Sequence, residues 1–136
     1  MANEELRGRS VLLVEDEPFT RAVVARTIGL LGAHTASQAG DGAEALAMIE
    51  RERPDLVMCD VEMEPLDGLG FLRALREGEE PWRKTLPVLF MTNRIDQATV
   101  DAAYPLGVEV FLLKPVTAEA LRNVLLRLLP PLEPEI

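Results

Sequence analysis

The sequence predicts an α/β fold in which a doubly wound, five-stranded parallel sheet carries helices on both faces. Short apolar runs alternate along the chain with longer segments whose apolar residues recur at helical spacing, which gives five strand–helix units. The strand segments are almost continuously apolar, which is typical of strands buried on both faces of a parallel sheet. A chain of 136 residues suits one domain with one core.

The first strand is predicted over residues 11–14, an apolar run that ends at an acidic turn. Pro18 favours the start of a helix directly after that turn, and Gly32 favours its end. The next segment, residues 33–37, is short and half polar, which predicts an edge strand. Asp41 with Glu44 three residues later forms a capping box that opens the second helix.

The third strand is predicted over residues 56–59 and ends at Asp60, and the third helix gives out near Gly78. A fourth strand is predicted over residues 86–91, and the segment between that helix and this strand is interpreted as a loop.

A fourth helix is predicted from about Asp96 to Gly107, and Pro105 is expected to shorten or kink it. The fifth strand is predicted over residues 108–113. Thr117 then caps a last helix whose leucines follow helical spacing. Prolines end this helix, so we expect a core of about residues 10–129 and a short acidic, proline-rich tail at residues 130–136.

The composition excludes several classes of function. The net charge of −9 argues against a nucleic-acid-binding surface, because phosphate contacts need clustered lysines and arginines. No apolar run approaches the length of a membrane span, and no secretory signal is visible. The single cysteine excludes an internal disulfide and a multi-cysteine metal site. We therefore expect a cytoplasmic protein that contacts neither nucleic acid nor membrane.

Polar residues follow four of the five predicted strands. Glu15 and Asp16 follow the first, Asp60 the third, Thr92 the fourth and Lys114 the fifth. In a doubly wound sheet, ligands bind beyond the carboxyl ends of the strands, so these side chains should share one rim. Each feature alone has a structural explanation, such as a helix start, a cap or a solvated strand exit. Their coincidence at four strand ends favours a site.

The residue types indicate phosphoryl chemistry. Three neighbouring carboxylates repel one another unless a cation shares the site, and Mg²⁺ is the usual cation where phosphate is handled. One carboxylate can act as a nucleophile toward phosphorus and form an aspartyl phosphate. The three phosphoryl oxygens can then contact the metal, the Lys114 ammonium and the Thr92 hydroxyl.

With these residues in place, the chain resembles the receiver domain of the response regulators of two-component signal transduction, including the chemotaxis type. The resemblance covers about residues 10–129. The matching stretches are residues 11–18, 54–60, 67–68, 91–92 and 111–115. It implies the flavodoxin-like strand order 2-1-3-4-5.

The resemblance also implies roles for the rim residues. Glu15 and Asp16 would be the acidic pair, Asp60 would be the phosphoacceptor, and the backbone carbonyl of Glu62 would be a further Mg²⁺ ligand. Thr92 and Lys114 would contact the phosphoryl group and, with Asp60, form the catalytic set. The chain would catalyse only its own phosphorylation and dephosphorylation, and would not otherwise be an enzyme.

A switch is implied as well. Thr92 would shift toward the phosphate and Phe111 would turn inward, which changes the face built from the fourth helix, the fifth strand and the fifth helix. The bond between Lys114 and Pro115 resembles one that the family holds cis. The implied partners are a sensor histidine kinase or a phosphotransfer protein of a phosphorelay and a downstream protein target, with the chain a monomer or weak dimer.

The chain departs from the family pattern near the phosphoacceptor. Glu64 stands where a proline is usual, and Asn93 stands where the family commonly has a smaller residue. Glu62 and Arg94 have opposite charges and flank the site. We expect Glu62, Asn93 and Arg94 to modulate the lifetime of the phosphate, with Glu62 and Arg94 pairing across the mouth of the site.

Three alternatives stay open at this point. One alternative is a receiver cut from a larger hybrid kinase or transcription regulator. An aspartate-nucleophile phosphatase of the haloacid-dehalogenase type would also use an acid two residues after its nucleophile, as Asp60 and Glu62 are placed, but that family has its nucleophile after the first strand. A flavin-binding protein of this fold would want a phosphate loop where the chain has Glu15 to Glu17.

Overall fold

The computed structural model describes residues 6–108 and 110–129, so the predicted acidic tail lies outside the described residues. Five parallel strands form one sheet in the order β2-β1-β3-β4-β5. The strands are β1 (Ser10–Val14), β2 (His34–Ala39), β3 (Leu56–Asp60), β4 (Val88–Thr92) and β5 (Phe111–Leu113). The predicted fold class and strand order are both confirmed, and β2 lies at an edge as expected.

Helices connect the strands. They are α1 (Pro18–Leu30), α2 (Gly42–Glu52), α3 (Gly68–Glu77), α4 (Pro81–Thr85), α5 (Gln97–Ala103) and α6 (Ala118–Leu128). Every helix except α4 begins after a side chain that accepts a hydrogen bond from a backbone N–H of the first turn, which satisfies a donor that the helix leaves unpaired. These capping residues are Glu17, Asp41, Asp67, Asp96 and Thr117.

The sheet separates two apolar cores, because successive side chains of a strand point to opposite faces. On one face, Val57, Cys59 and Phe90 pack with residues of α2 and α3. On the other, Met58 and Leu89 pack with residues of α1 and α6. The last four positions of β1 and all positions of β3 and β4 are buried. This two-sided burial explains why those strands are continuously apolar.

The prediction of a loop between the third helix and the fourth strand was wrong. Residues Pro81–Thr85 form the short helix α4, with proline in its first turn and Glu80 before it. So short a helix has no apolar periodicity that a sequence could show. It is held instead by tertiary contacts: the Arg53 guanidinium lies 4.1 Å from the centre of the Trp82 ring.

The fourth and fifth strands and the helix between them are shorter than predicted. Helix α5 ends at Ala103, and Pro105 lies in a 3-10 turn that Gly107 closes with φ of 92°. Val108 still donates its N–H to the carbonyl of Ala103, at 3.3 Å, so the chain leaves the helix end before it becomes a strand. Regular β5 therefore begins only at Phe111.

Within the described part of the chain, no helix is long and apolar enough to cross a bilayer.

Candidate functional site

The predicted site residues come together at the carboxyl edge of the sheet. The last ladder hydrogen bonds place them there: Glu15 donates its N–H to the Ala39 carbonyl at 2.9 Å, and Lys114 donates its N–H to the Thr92 carbonyl at 2.8 Å. Asp60 is the last residue of β3, in the centre of the sheet. Parallel pairing thus brings residues far apart in sequence to one rim.

Three carboxyl groups form the acidic part of the site. One oxygen from each of Glu15, Asp16 and Asp60 lies within 4.8 Å of the others. Glu15 and Asp60 are buried, whereas Asp16 is exposed. Partial burial, followed by the neighbouring Glu15 carboxyl, raises the pKa of Asp16 above its usual range. Such a group of hard oxygen donors is suited to a divalent cation, which would relieve the repulsion.

Lys114 links two of these carboxyl groups. Its Nζ lies 2.6 Å from Oε1 of Glu15 and 3.2 Å from Oδ2 of Asp60. Burial alone would lower the pKa of Lys114, but the hydrogen bonds and charges of Glu15 and Asp60 outweigh it and raise the pKa above its usual value. The ammonium therefore remains charged at neutral pH and stands beside the predicted phosphoacceptor.

The Thr92 hydroxyl is buried at the end of β4 and is held in its own turn. Its Oγ1 donates to the carbonyl of Arg94 at 2.9 Å and accepts from the N–H of Arg94 at 3.3 Å. These are the two hydrogen bonds that the hydroxyl would have to give up to contact a phosphoryl oxygen, as the resemblance implies. The loop from residue 92 to residue 94 would change with it.

The loop after Asp60 is fixed by close backbone packing. The N–H of Glu62 donates to Oδ1 of Asp60 at 3.3 Å, and the N–H of Gly68 donates to the Val61 carbonyl at 2.9 Å. A Cβ on Gly68 would lie 2.6 Å from the Asp60 carbonyl oxygen, so only glycine fits without a shift. Within the loop, the bond between Glu64 and Pro65 is cis, which the sequence did not indicate.

The expected ion pair between Glu62 and Arg94 is not formed. Both residues are exposed beside the site, but none of the ion pairs within residues 6–108 and 110–129 joins them. Arg94 instead lies near Asp96: hydrogen bonds from Thr99 lower the pKa of Asp96, and the Arg94 charge adds to this effect. The two charges could be predicted from the residue types, but the direction of the Arg94 side chain could not.

Phe111, the predicted switch aromatic, is partly buried at the start of β5. Its ring meets that of Phe90 edge to face, with centroids 5.7 Å apart. The bond between Lys114 and Pro115 is cis, as the resemblance implied. The strand that carries the switch residue thus leads directly into the lysine of the site.

Arg21 is a site neighbour that the sequence reasoning missed. Its Nη1 donates to the backbone carbonyl of Glu15 at 2.8 Å, which ties the first turns of α1 to the acidic turn. Because the guanidinium holds a carbonyl and forms none of the described ion pairs, it leaves the carboxylates available to a cation. Its position four residues after Glu17, one turn into the helix, was the available signal.

The chain matches a known protein family over most of its length. The profile described as the response regulator receiver domain matches residues 11–126. The chain belongs to this family. Receiver domains are signalling modules of two-component response regulators, and the match favours this interpretation over the phosphatase and flavin-binding alternatives.

Individual relatives agree with the receiver assignment. The chain is 37% identical over 114 residues to the regulator of RpoS of Escherichia coli K12, an alignment that covers 83% of this chain and 32% of that protein. The chain therefore spans about a third of the length of that curated relative.

Two solved receiver structures are close in fold. The chemotaxis protein CheY4 of Vibrio cholerae has a TM-score of 0.81 and 30% identity, and the match covers 89% of this chain and 98% of that one. The receiver domain of sensor histidine kinase PA1611 of Pseudomonas aeruginosa has a TM-score of 0.78 and 28% identity, with coverage of 88% and 96%. That structure has a magnesium ion coordinated in its active-site cleft.

Proposed function

We propose that this receiver accepts a phosphoryl group on Asp60 from a histidine kinase or a phosphotransfer protein, and that the modification switches a protein-binding face. One observation carries the proposal: Nζ of Lys114 bridges Glu15 and Asp60 within a cluster of three carboxyl groups. A cation fixed beside a buried carboxylate at an otherwise acidic rim is what an incoming phosphoryl group needs.

The proposed transfer is a displacement at phosphorus. An oxygen of the Asp60 carboxylate forms the new P–O bond while the P–N bond to the donor imidazole breaks, and the released imidazole takes up a proton. Lys114 is placed to pair with a phosphoryl oxygen after giving up part of its contact with Asp60. Its second partner, Glu15, keeps the ammonium in position throughout.

The donor set also fits Mg²⁺. Carboxylates of Glu15, Asp16 and Asp60 and the backbone carbonyl of Glu62 would hold the ion. When bound, Mg²⁺ would supply positive charge that offsets the carboxylates and the developing phosphate charge. Asp16 is the exposed member of the cluster, so it is the carboxylate that faces an ion arriving from solvent.

The output would be a shift between two conformations. Phosphorylation offers Thr92 a new partner in place of Arg94, and Phe111 then repacks from its present contact with Phe90. The face built from α5, β5 and α6 changes as a result. This face already exposes apolar side chains for a protein target, among them Tyr104, 66% exposed, and Leu113, 55% exposed.

The lifetime of the phosphate would depend on three exposed neighbours of the site. Glu62, Asn93 and Arg94 are exposed on the two loops that directly follow β3 and β4, next to Asp60 and Thr92. Since Glu62 and Arg94 do not pair with each other, each would act by itself on water or on the phosphoryl group.

We further propose that residues 1–136 act as one receiver domain, monomeric or weakly dimeric. The chain covers nearly the whole of CheY4 but a third of the regulator of RpoS, so it could work alone or as part of a longer protein. In both cases the target would be reached through protein contacts.

The test is phosphorylation by a small donor. We expect incubation with Mg²⁺ and acetyl phosphate to add one phosphoryl group by intact mass, and Asp60→Asn to abolish the gain. Asp101→Asn, which removes an exposed carboxylate from α5, should keep it and serves as the matched control. Modification of Asp60→Asn to the same extent as the parent would refute the proposal.

A further inference from the structure

A groove with two cations lies at the edge of the sheet opposite to Asp60. It runs between the end of α3, the start of β4 and the end of α6. Two adjoining hollows of about 240 and 270 Å³ share Arg76, Lys84 and Gly107 in their walls. Hollows of this size are near the lower end for small-molecule sites.

The two cations are held by carbonyl groups. Arg76 donates from Nε to the Leu106 carbonyl at 2.8 Å and from Nη1 to the Arg83 carbonyl at 2.7 Å. Lys84 donates from Nζ to the carbonyls of Arg76 at 2.8 Å and Gly78 at 3.2 Å. In the described residues, neither cation forms an ion pair, although the chain has 23 acidic residues.

Both cations keep N–H donors for a ligand. Nη2 of Arg76 has no hydrogen bond to the described residues, and it lies beside the groove, 3.4 Å from where a Cβ on Gly107 would be. The Lys84 ammonium uses two of its three protons. Partial burial lowers the pKa of Arg76, so an anion placed there would offset a real desolvation cost.

Apart from Thr85, the remaining walls are formed by apolar side chains. The described residues that line the groove include Leu86, Val88, Val110 and Leu128, and none of them is acidic. A ligand that suits both parts has an anionic group and a short hydrocarbon chain. Nη2 of Arg76 and Nζ of Lys84 are two separate donors that both border the groove, and the two oxygens of a carboxylate can accept one hydrogen bond from each.

We propose that this groove binds a small aliphatic carboxylate, whose oxygens accept from Nη2 of Arg76 and Nζ of Lys84 and whose chain lies on Leu86 and Leu128. The site is separate from the phosphorylation rim. It lies next to the 3-10 turn that ends α5, through the bond from Arg76 to Leu106.

The test titrates the full chain with hexanoate and follows binding in proton–nitrogen correlation spectra of the protein. We expect saturable shifts of the Gly107 and Val110 amides and of Arg76 Nε, with a dissociation constant of about 1 mM. Hexan-1-ol and hexylamine have the same chain without the negative charge, and they should bind at least about tenfold more weakly.

Charge variants extend the test. Lys84→Met should weaken the binding of hexanoate by about tenfold. Arg73→Met removes an exposed cation of α3 that does not line the groove, and it should leave the affinity unchanged. Lys84 is exposed, so the fold should survive, and retained spectral dispersion checks this. If the variant lost its fold, the comparison of hexanoate with hexan-1-ol on the parent would decide. Equal affinity for the two, or shifts away from the groove, would overturn the proposal.

Discussion

Replacing Gly68 by alanine should disturb both stability and chemistry, because this glycine lies against the backbone of Asp60, the proposed phosphoacceptor. Its added Cβ would be 2.6 Å from the Asp60 carbonyl oxygen and 3.0 Å from Cα of Val61. The φ of Gly68 is not positive, so space and not backbone conformation is the constraint. Both obstacles are backbone atoms that cannot rotate away, so the start of α3 must move by most of an ångström.

The expected cost follows from two terms. Overpacking of this kind costs about 1–3 kcal/mol, and the hydrogen bond from Gly68 to Val61 is strained by the same movement, for about 1 kcal/mol. Alanine returns about 0.5–1 kcal/mol through its better helix propensity. We therefore expect Gly68→Ala to lower the free energy of unfolding by about 2 kcal/mol. It should also slow phosphorylation, because the Asp60 backbone is displaced.

Gly29 provides the matched control. It lies in the last turn of α1, and a Cβ there would meet nothing within 4 Å. Gly29→Ala should raise the free energy of unfolding by about 0.5 kcal/mol. Urea unfolding followed by the fluorescence of Trp82, the single tryptophan, measures both variants. The reasoning is refuted if Gly68→Ala unfolds within about 0.5 kcal/mol of the parent.

Three further predictions concern the rim. Lys114→Met leaves the buried Glu15 carboxylate without its cation and should lower the free energy of unfolding, measured with urea, by about 2 kcal/mol. Because the pKa of Lys114 is raised, this difference from the parent should stay constant through neutral pH and shrink only as pH rises past the folded-state pKa of Lys114. A difference that disappears near pH 7 would contradict this. Asp16→Asn should remove the increase in melting temperature that Mg²⁺ gives the parent, and an undiminished increase would exclude Asp16 as a ligand. Glu62→Ala should change the half-life of phosphorylated protein after donor removal without changing the unfolding curve, whereas an unchanged half-life would remove Glu62 from the modulating set.

Much of the fold was predictable because strand burial and helix capping depend on short segments of the sequence. Apolar runs identified four of the five strands, and Asp41, Asp96 and Thr117 identified three helix starts. The elements that were predicted wrongly depend on tertiary contacts. Helix α4 is held by the stacking of Arg53 on Trp82, and β5 is shortened by a hydrogen bond between Val108 and the end of α5.

The candidate site could be assembled from chain order alone, because parallel topology sends every strand end to the same rim. Side-chain directions could not be read in that way. The sequence placed Lys114 at the rim but did not show that it bridges Glu15 and Asp60, and it suggested a partner for Arg94 that the structure does not give. Such directions depend on loop geometry, which has no period in the sequence.

The edges of the sheet also affect solubility. In the described residues, β5 has three residues and the pairing of β2 with β1 shifts register after Val11, so neither described border of the sheet offers a long, regular row of free backbone groups. Another chain cannot easily extend this sheet by adding a strand. Exposed apolar side chains such as Leu113 therefore lie beside a sheet border that is too short to template strand addition.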